Sequence, residues 1–72
     1  MATLSDRLMQ LQAERNVLKK DISKAVGISV MAYYRYERNE RQPTADILIA
    51  LADFFDVSLD YLVGRSDDPV RR

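Results

Sequence analysis

Apolar residues recur along this chain at three- and four-residue spacing, and no stretch shows strand-like alternation, so the pattern predicts helices throughout. Leu4, Leu8 and Leu11 make a first stripe, with Thr3 or Ser5 placed to cap it, Asp6 in its first turn and Asn16 as a left-handed stop. A second helix is expected from about Leu18 to Val26, turning Ile22, Ala25 and Val26 inward. Gly27 follows it, where positive φ permits the sharp turn that sets two helices at a wide angle, and Ile28 is the apolar residue expected to be buried in that turn. Ser29 caps a third helix, Val30 to Arg38, closing at Asn39. After a loop from Asn39 to Thr44 that carries Pro43, Thr44 caps a fourth, with Asp46 in its first turn and Ile47, Leu48, Leu51, Ala52 and Phe55 as its apolar stripe. Val57 and Ser58 open a short fifth helix, capped by Ser58 and ended at Gly64. Residues 1–64 therefore read as one all-α domain, and the polar, proline-containing residues 65–72 as a tail or linker.

Seventy-two residues suffice for one core and no more. Cysteine is absent, which excludes disulfides and thiolate metal sites. Histidine is absent too, removing the usual general base and the commonest metal ligand, so neither cofactor nor metal is expected and an enzyme is the weakest reading. No segment is long and apolar enough to span a bilayer, and the N-terminus carries no signal-peptide run; a reducing, cytoplasmic setting fits.

A formal net charge of zero argues at first against a nucleic-acid partner. Its distribution reverses that. Between residues 15 and 41 stand Arg15, Lys19, Lys20, Lys24, Arg35, Arg38 and Arg41 against Asp21, Glu37 and Glu40. Between residues 44 and 64 the only charges are Asp46, Asp53, Asp56 and Asp60. A chain that separates its charge this way offers one face to a polyanion and another to a different partner.

Spacing alone makes VLKKDISKAVGIS (residues 17–29) an αα-hairpin, which many proteins use only for packing. The residues around it narrow the choice. Ile22, Gly27, Ile28, Ser29, Tyr36, Glu37 and Arg38, then Arg41, Gln42 and Pro43, resemble the helix-turn-helix of the phage-repressor-like (Cro or xenobiotic-response-element) family. The likeness runs on through LIALADFFDVSLDYLVG and covers nearly all of residues 4–64; YERxxRxP and VSLDYLxG are its most specific pieces. It implies a compact five-helix lambda-repressor-like DNA-binding domain, with the third helix in the major groove and the second crossing the backbone.

By this resemblance Val30, Met31 and Arg35 fall at base edges, with Tyr34 beside them. Arg35 suits a guanine, and Val30 and Met31 suit thymine methyls, unless those two form an apolar patch for a protein. Lys19, Ser29, Arg38, Asn39 and Arg41 fall at the DNA backbone; Lys20 and Lys24 read equally well as solvated charges. Tyr33 and Tyr36 are implied to pack inward. Relatives pair the glutamate at position 37 with an arginine of the first helix. Gln12 stands there, which leaves Glu37 to a neutral partner or another cation. Leu18 replaces the usual capping serine, so the second helix is expected to lack its side-chain cap.

The partner implied is a duplex operator with two-fold half-sites, read by two copies of the domain in a weak homodimer. Phe54, Leu59 and Tyr61 are expected as an exposed apolar contact between copies, with Phe54 alternatively completing a thin core. A transcriptional regulator, most naturally a repressor of a phage, mobile element or bacterial operon, is the leading reading. A DNA-binding antitoxin or restriction-system controller uses the same module, and a protein-docking anti-repressor is the alternative of another class.

Overall fold

The computed structural model describes residues 2–71 and contains five helices: α1 (Leu4–Arg15), α2 (Lys19–Val26), α3 (Val30–Glu37), α4 (Ala45–Phe55) and α5 (Leu59–Leu62). Local chemistry sets both ends of nearly every one. Thr3, Ser29, Thr44 and Ser58 each accept a backbone N–H three residues on, and Thr3 and Asp6 complete a reciprocal capping box. α2 is the exception. Its N-cap is Leu18, which has no side-chain oxygen to offer.

Every helix stops the same way. Asn16, Gly27, Asn39, Asp56 and Gly64 are the five left-handed residues of the described chain, and each follows a helix. In each case the next residue returns a backbone bond to the carbonyl five positions back, such as Glu40 N–H to Arg35 at 2.8 Å and Arg65 N–H to Asp60 at 2.8 Å. α3 accordingly ends at Glu37, with Arg38 as its C-cap, one residue short of the sequence expectation.

α1 packs on α3 and α5, α2 on α3 and α4, and α4 on α5. Between them lies a core of Leu8, Leu11, Ile22, Tyr33, Tyr36, Leu51, Ala52, Phe55, Val57, Tyr61 and Leu62. Ile28 is only partly buried, against its edge. Ala25, expected to face inward, is exposed: at eight residues α2 has a narrow inner face, which Ile22 and Ser23 fill. No helix among the described residues is long and apolar enough to cross a membrane.

Tyr61 overturns the expectation of exposure, with 6 % of its surface accessible. The cause is Arg7, itself buried, whose guanidinium lies 3.9 Å over the Tyr61 ring centroid. Arg7 Nε donates to the Tyr61 carbonyl at 3.0 Å, and its terminal nitrogens donate to Gln10 Oε1, the Ser66 carbonyl and the Asp67 carboxylate. Gln10 Nε2 in turn donates to the Tyr61 hydroxyl at 2.9 Å. A buried guanidinium is tolerable because its donors find acceptors and its plane finds a ring. Phe54 is also drawn in, its ring edge-on to Phe55 at 5.1 Å and packed against the core. Of the three, Leu59 alone stays exposed.

The segment after α5, read from sequence as a tail or linker, lies back on the domain. Ser58 N–H donates to the Pro69 carbonyl at 3.0 Å, and Arg71 pairs with Asp53 and Asp56. Gly64 sits where this segment passes the N-terminus. A Cβ placed there would run into the Ala2 carbonyl oxygen, whereas one at Gly27 meets nothing within 4 Å. Both have φ of +85°. Gly27→Ala should therefore cost only the left-handed penalty, about 1–2 kcal/mol. Gly64→Ala should cost distinctly more, because the N-terminal backbone must also move. Thermal unfolding of the two variants checks the order, at about 4–8 °C per kcal/mol in a domain this small.

Candidate nucleic-acid interface

The turn at Gly27 brings α3 across α2, and the i, i+3, i+4 spacing of Tyr33, Tyr36 and Glu37 puts all three on the inner face of α3. What remains outward is set by subtraction. Val30, Met31 and Tyr34 are 41 %, 61 % and 44 % exposed, and Arg35 is exposed beside them. Two large apolar side chains left in water at the start of a short helix are unusual on a protein with so little core. Ser29 begins this surface, its Oγ accepting the Ala32 N–H at 3.0 Å while its own hydroxyl proton points elsewhere.

The cations around α3 divide by what they already hold. Arg35, Arg41, Lys20 and Lys24 are exposed and make no ion pair among the described residues. Arg38 pairs with Glu40 at 3.1 Å, but both are exposed, and such a pair is worth about 0–1 kcal/mol and yields readily to a stronger anion. Asn39, with φ of +58°, turns the chain out of α3 between them.

Lys19 is placed differently. Its Nζ lies 3.2 Å from Glu37 Oε1, 3.2 Å from Gln12 Oε1 and 5.3 Å from the Tyr34 ring centroid. Glu37 therefore finds its cation at the start of α2, in place of the first-helix arginine that the family resemblance implies. The same carboxylate, second to burial itself, keeps the Tyr33 phenol neutral far above the ordinary tyrosine range. The Ser5 hydroxyl donates to the Glu37 carbonyl, so α1 also grips the end of α3.

Sequence reasoning thus assembled the outward face but missed Arg7 and the partner of Lys19. A signal for Arg7 existed: it falls three residues after Leu4 and four before Leu11, on the apolar stripe of α1. Lys19 and Glu37 stand 18 positions apart on different helices, and no local pattern joins them.

Several known proteins resemble this chain in sequence or in fold. The helix-turn-helix family profile matches residues 8–62. An uncharacterised HTH-type transcriptional regulator of Bacillus subtilis, YobD, is 36 % identical over 63 residues, covering 88 % of this chain and 56 % of YobD. The cryptic phage CTXphi transcriptional repressor RstR of Vibrio cholerae is 32 % identical over 62 residues, covering 86 % of this chain and 55 % of RstR. The chain thus spans little more than half the length of these relatives. Among solved structures, the P22 c2 repressor in complex with a synthetic operator superposes with a TM-score of 0.84 at 26 % identity, covering 92 % of this chain and 100 % of that one. The profile match across α1 to α5, the shared fold and the residues of the α2–turn–α3 unit agree: the chain belongs to the phage-repressor-like, xenobiotic-response-element type of helix-turn-helix family.

Proposed function

We propose that this chain binds duplex DNA sequence-specifically and serves as the DNA-reading part of a transcriptional regulator, most naturally a repressor, acting by binding rather than catalysis. The observation that carries the reading is the outward face of α3. Val30, Met31, Tyr34 and Arg35 stand exposed on the helix that the motif presents to a groove, and uncommitted cations stand beside them. The P22 c2 repressor, of the same fold, is seen on an operator, which supports the same use here. In this reading Arg35 takes the two acceptors of a guanine, Val30 and Met31 pack on thymine methyls, and Ser29, Arg38, Asn39 and Arg41 hold phosphates.

One such helix buries too little surface for specific affinity, so two copies must share an operator, about 34 Å apart on one face of the duplex. The face that suits a second copy lies across α4 and α5. There Ile49, Leu59 and Val70 line one shallow cleft with Arg71 at its edge. Arg71 already pairs with Asp53 and Asp56, so two of these otherwise acidic faces meet without their full mutual repulsion. Tyr61 belongs to the core and takes no part.

Three outcomes are expected. With Arg38 and Arg41 of two copies on phosphates, log affinity should fall against log salt with a slope of about −4, at about 0.9 per contact, in fluorescence anisotropy on a duplex; a slope near zero removes the DNA reading. Arg35→Ala should cost about 1–3 kcal/mol on the best site and flatten preference at one base pair per half-site, as read by selection from a random duplex library. Leu59→Glu should leave the circular dichroism spectrum and half-site affinity intact while abolishing cooperative filling of a full site. Retained cooperativity places the contact between copies elsewhere.

A further inference from the structure

Lys19 stands where a phosphate grip is expected, yet its ammonium is already engaged. Of its three donors, two are taken at 3.2 Å by Glu37 Oε1 and Gln12 Oε1, and the Tyr34 ring lies 5.3 Å from the nitrogen. Glu37 is buried, and Lys19 is the one cation paired with it among the described residues. Swinging Nζ out to a phosphate would strand that carboxylate without a counter-charge, which costs more than one exposed phosphate contact returns. The lysine therefore stays in.

Tyr34 is the side chain this arrangement leaves directed. It is half-exposed on the reading face, next to Arg35, and its ring faces the Lys19 ammonium. A cation within about 6 Å of a tyrosine ring favours the rotamer that keeps the ring beneath it. We propose that Lys19 is a positioning residue for base recognition: braced by Gln12 and Glu37, it holds the Tyr34 ring in place on the face of α3, and so controls which base pair is preferred there rather than how tightly the backbone is held. The proposal rests on the DNA-binding reading above. It moves Lys19 from the backbone contacts that the family resemblance implies to the sequence-reading part of the interface.

The test uses the whole chain and site selection from a random duplex library, with salt-dependent anisotropy on the selected duplex. Tyr34→Ala first identifies the base pair that Tyr34 influences. Lys19→Met alone would leave Glu37 uncompensated, so it is combined with Glu37→Gln, a neutral pair that keeps the buried site free of unbalanced charge. The double variant should lose preference at the same base pair as Tyr34→Ala, by about five-fold or more, with an unchanged salt slope. Lys19→Arg, which keeps a cation that can both pair and stack, should restore most of the discrimination. A variant that merely destabilised the fold would lower the active fraction equally on all sequences. Unchanged preference with a slope shallower by about one per copy would make Lys19 a phosphate contact and overturn the proposal. Unchanged preference and slope together would overturn it as well. A second readout needs no Lys19 variant: the Lys19 ε-methylene protons should show an upfield ring-current shift that disappears in Tyr34→Leu, and its absence in the unaltered protein refutes the contact. Should the unaltered chain bind no duplex in a salt-dependent way, the DNA reading itself fails, before any question of Lys19 arises.

Discussion

Glu37 brings a carboxylate to the inner side of the last turn of α3, and Lys19 brings an ammonium to the first turn of α2 to meet it. Each charge stands at the wrong end of its own helix. A carboxylate opposes the negative C-terminal end and an ammonium opposes the positive N-terminal end, at about 0.3–1 kcal/mol apiece when exposed. Separately both would weaken the helices that carry them. Together they cancel, and their pairing ties the beginning of α2 to the end of α3. The angle between these two helices defines the helix-turn-helix, and here it is fixed from within by Ile22 and Tyr33 and from the rim by this pair.

A domain of this size, with no cysteine, has little else to spare for specification, and so local signals carry much of it. Four helices begin at a serine or threonine that accepts a backbone N–H, and each of the five is followed by an asparagine, aspartate or glycine in the left-handed region, one residue past the cap in α3 and α5. These devices consist of neighbours along the chain, which is why Thr3, Asn16, Gly27, Ser29, Asn39, Thr44 and Ser58 are legible in the amino-acid sequence alone. The uncapped start at Leu18 is legible by the same logic, as the absence of an oxygen. The inward tyrosines, Tyr33 and Tyr36, are legible only through the family resemblance; periodicity alone does not choose between them and Tyr34.

What escaped the sequence shares one property. Arg7 reaches Tyr61, Ser66 and Asp67 across 54 to 60 positions, and Lys19 reaches Glu37 from a different helix. Local spacing does not name the partners of such contacts: the stripe of α1 points Arg7 inward, but nothing in it singles out Tyr61, Ser66 or Asp67. The burial of Tyr61 followed from the missed Arg7, since the aromatic ring looks like surplus apolar surface until a guanidinium is laid over it. The docked 65–71 segment was missed for the same reason, its anchors being side chains elsewhere in the chain. The charge segregation read from sequence is correspondingly softened, because Arg71 folds back onto Asp53 and Asp56. The outward face of α3 is legible once the family resemblance turns Tyr33 and Tyr36 inward, because exposure there is what remains when those two and Glu37 are buried.

The Arg7 cluster has a kinetic side. Two of its four acceptors are backbone carbonyls, that of Tyr61 in α5 and that of Ser66 just beyond it, and closing that loop must wait until α1 and α5 have already met. It should therefore form late in folding and, by the same token, open early. The segment beyond Gly64 is held at its near end by Arg7 and by the Arg65 and Ser66 N–H groups on the Asp60 carbonyl, and at its far end by Ser58 and two exposed aspartates. Its amides should exchange with solvent through a small local opening, while those of α2, α4 and the buried turn of α3 wait for the whole domain to unfold. Exchange should therefore divide the molecule into a slow body that carries the reading helix and a faster segment laid against α4 and α5, joined at the side chain of Arg7.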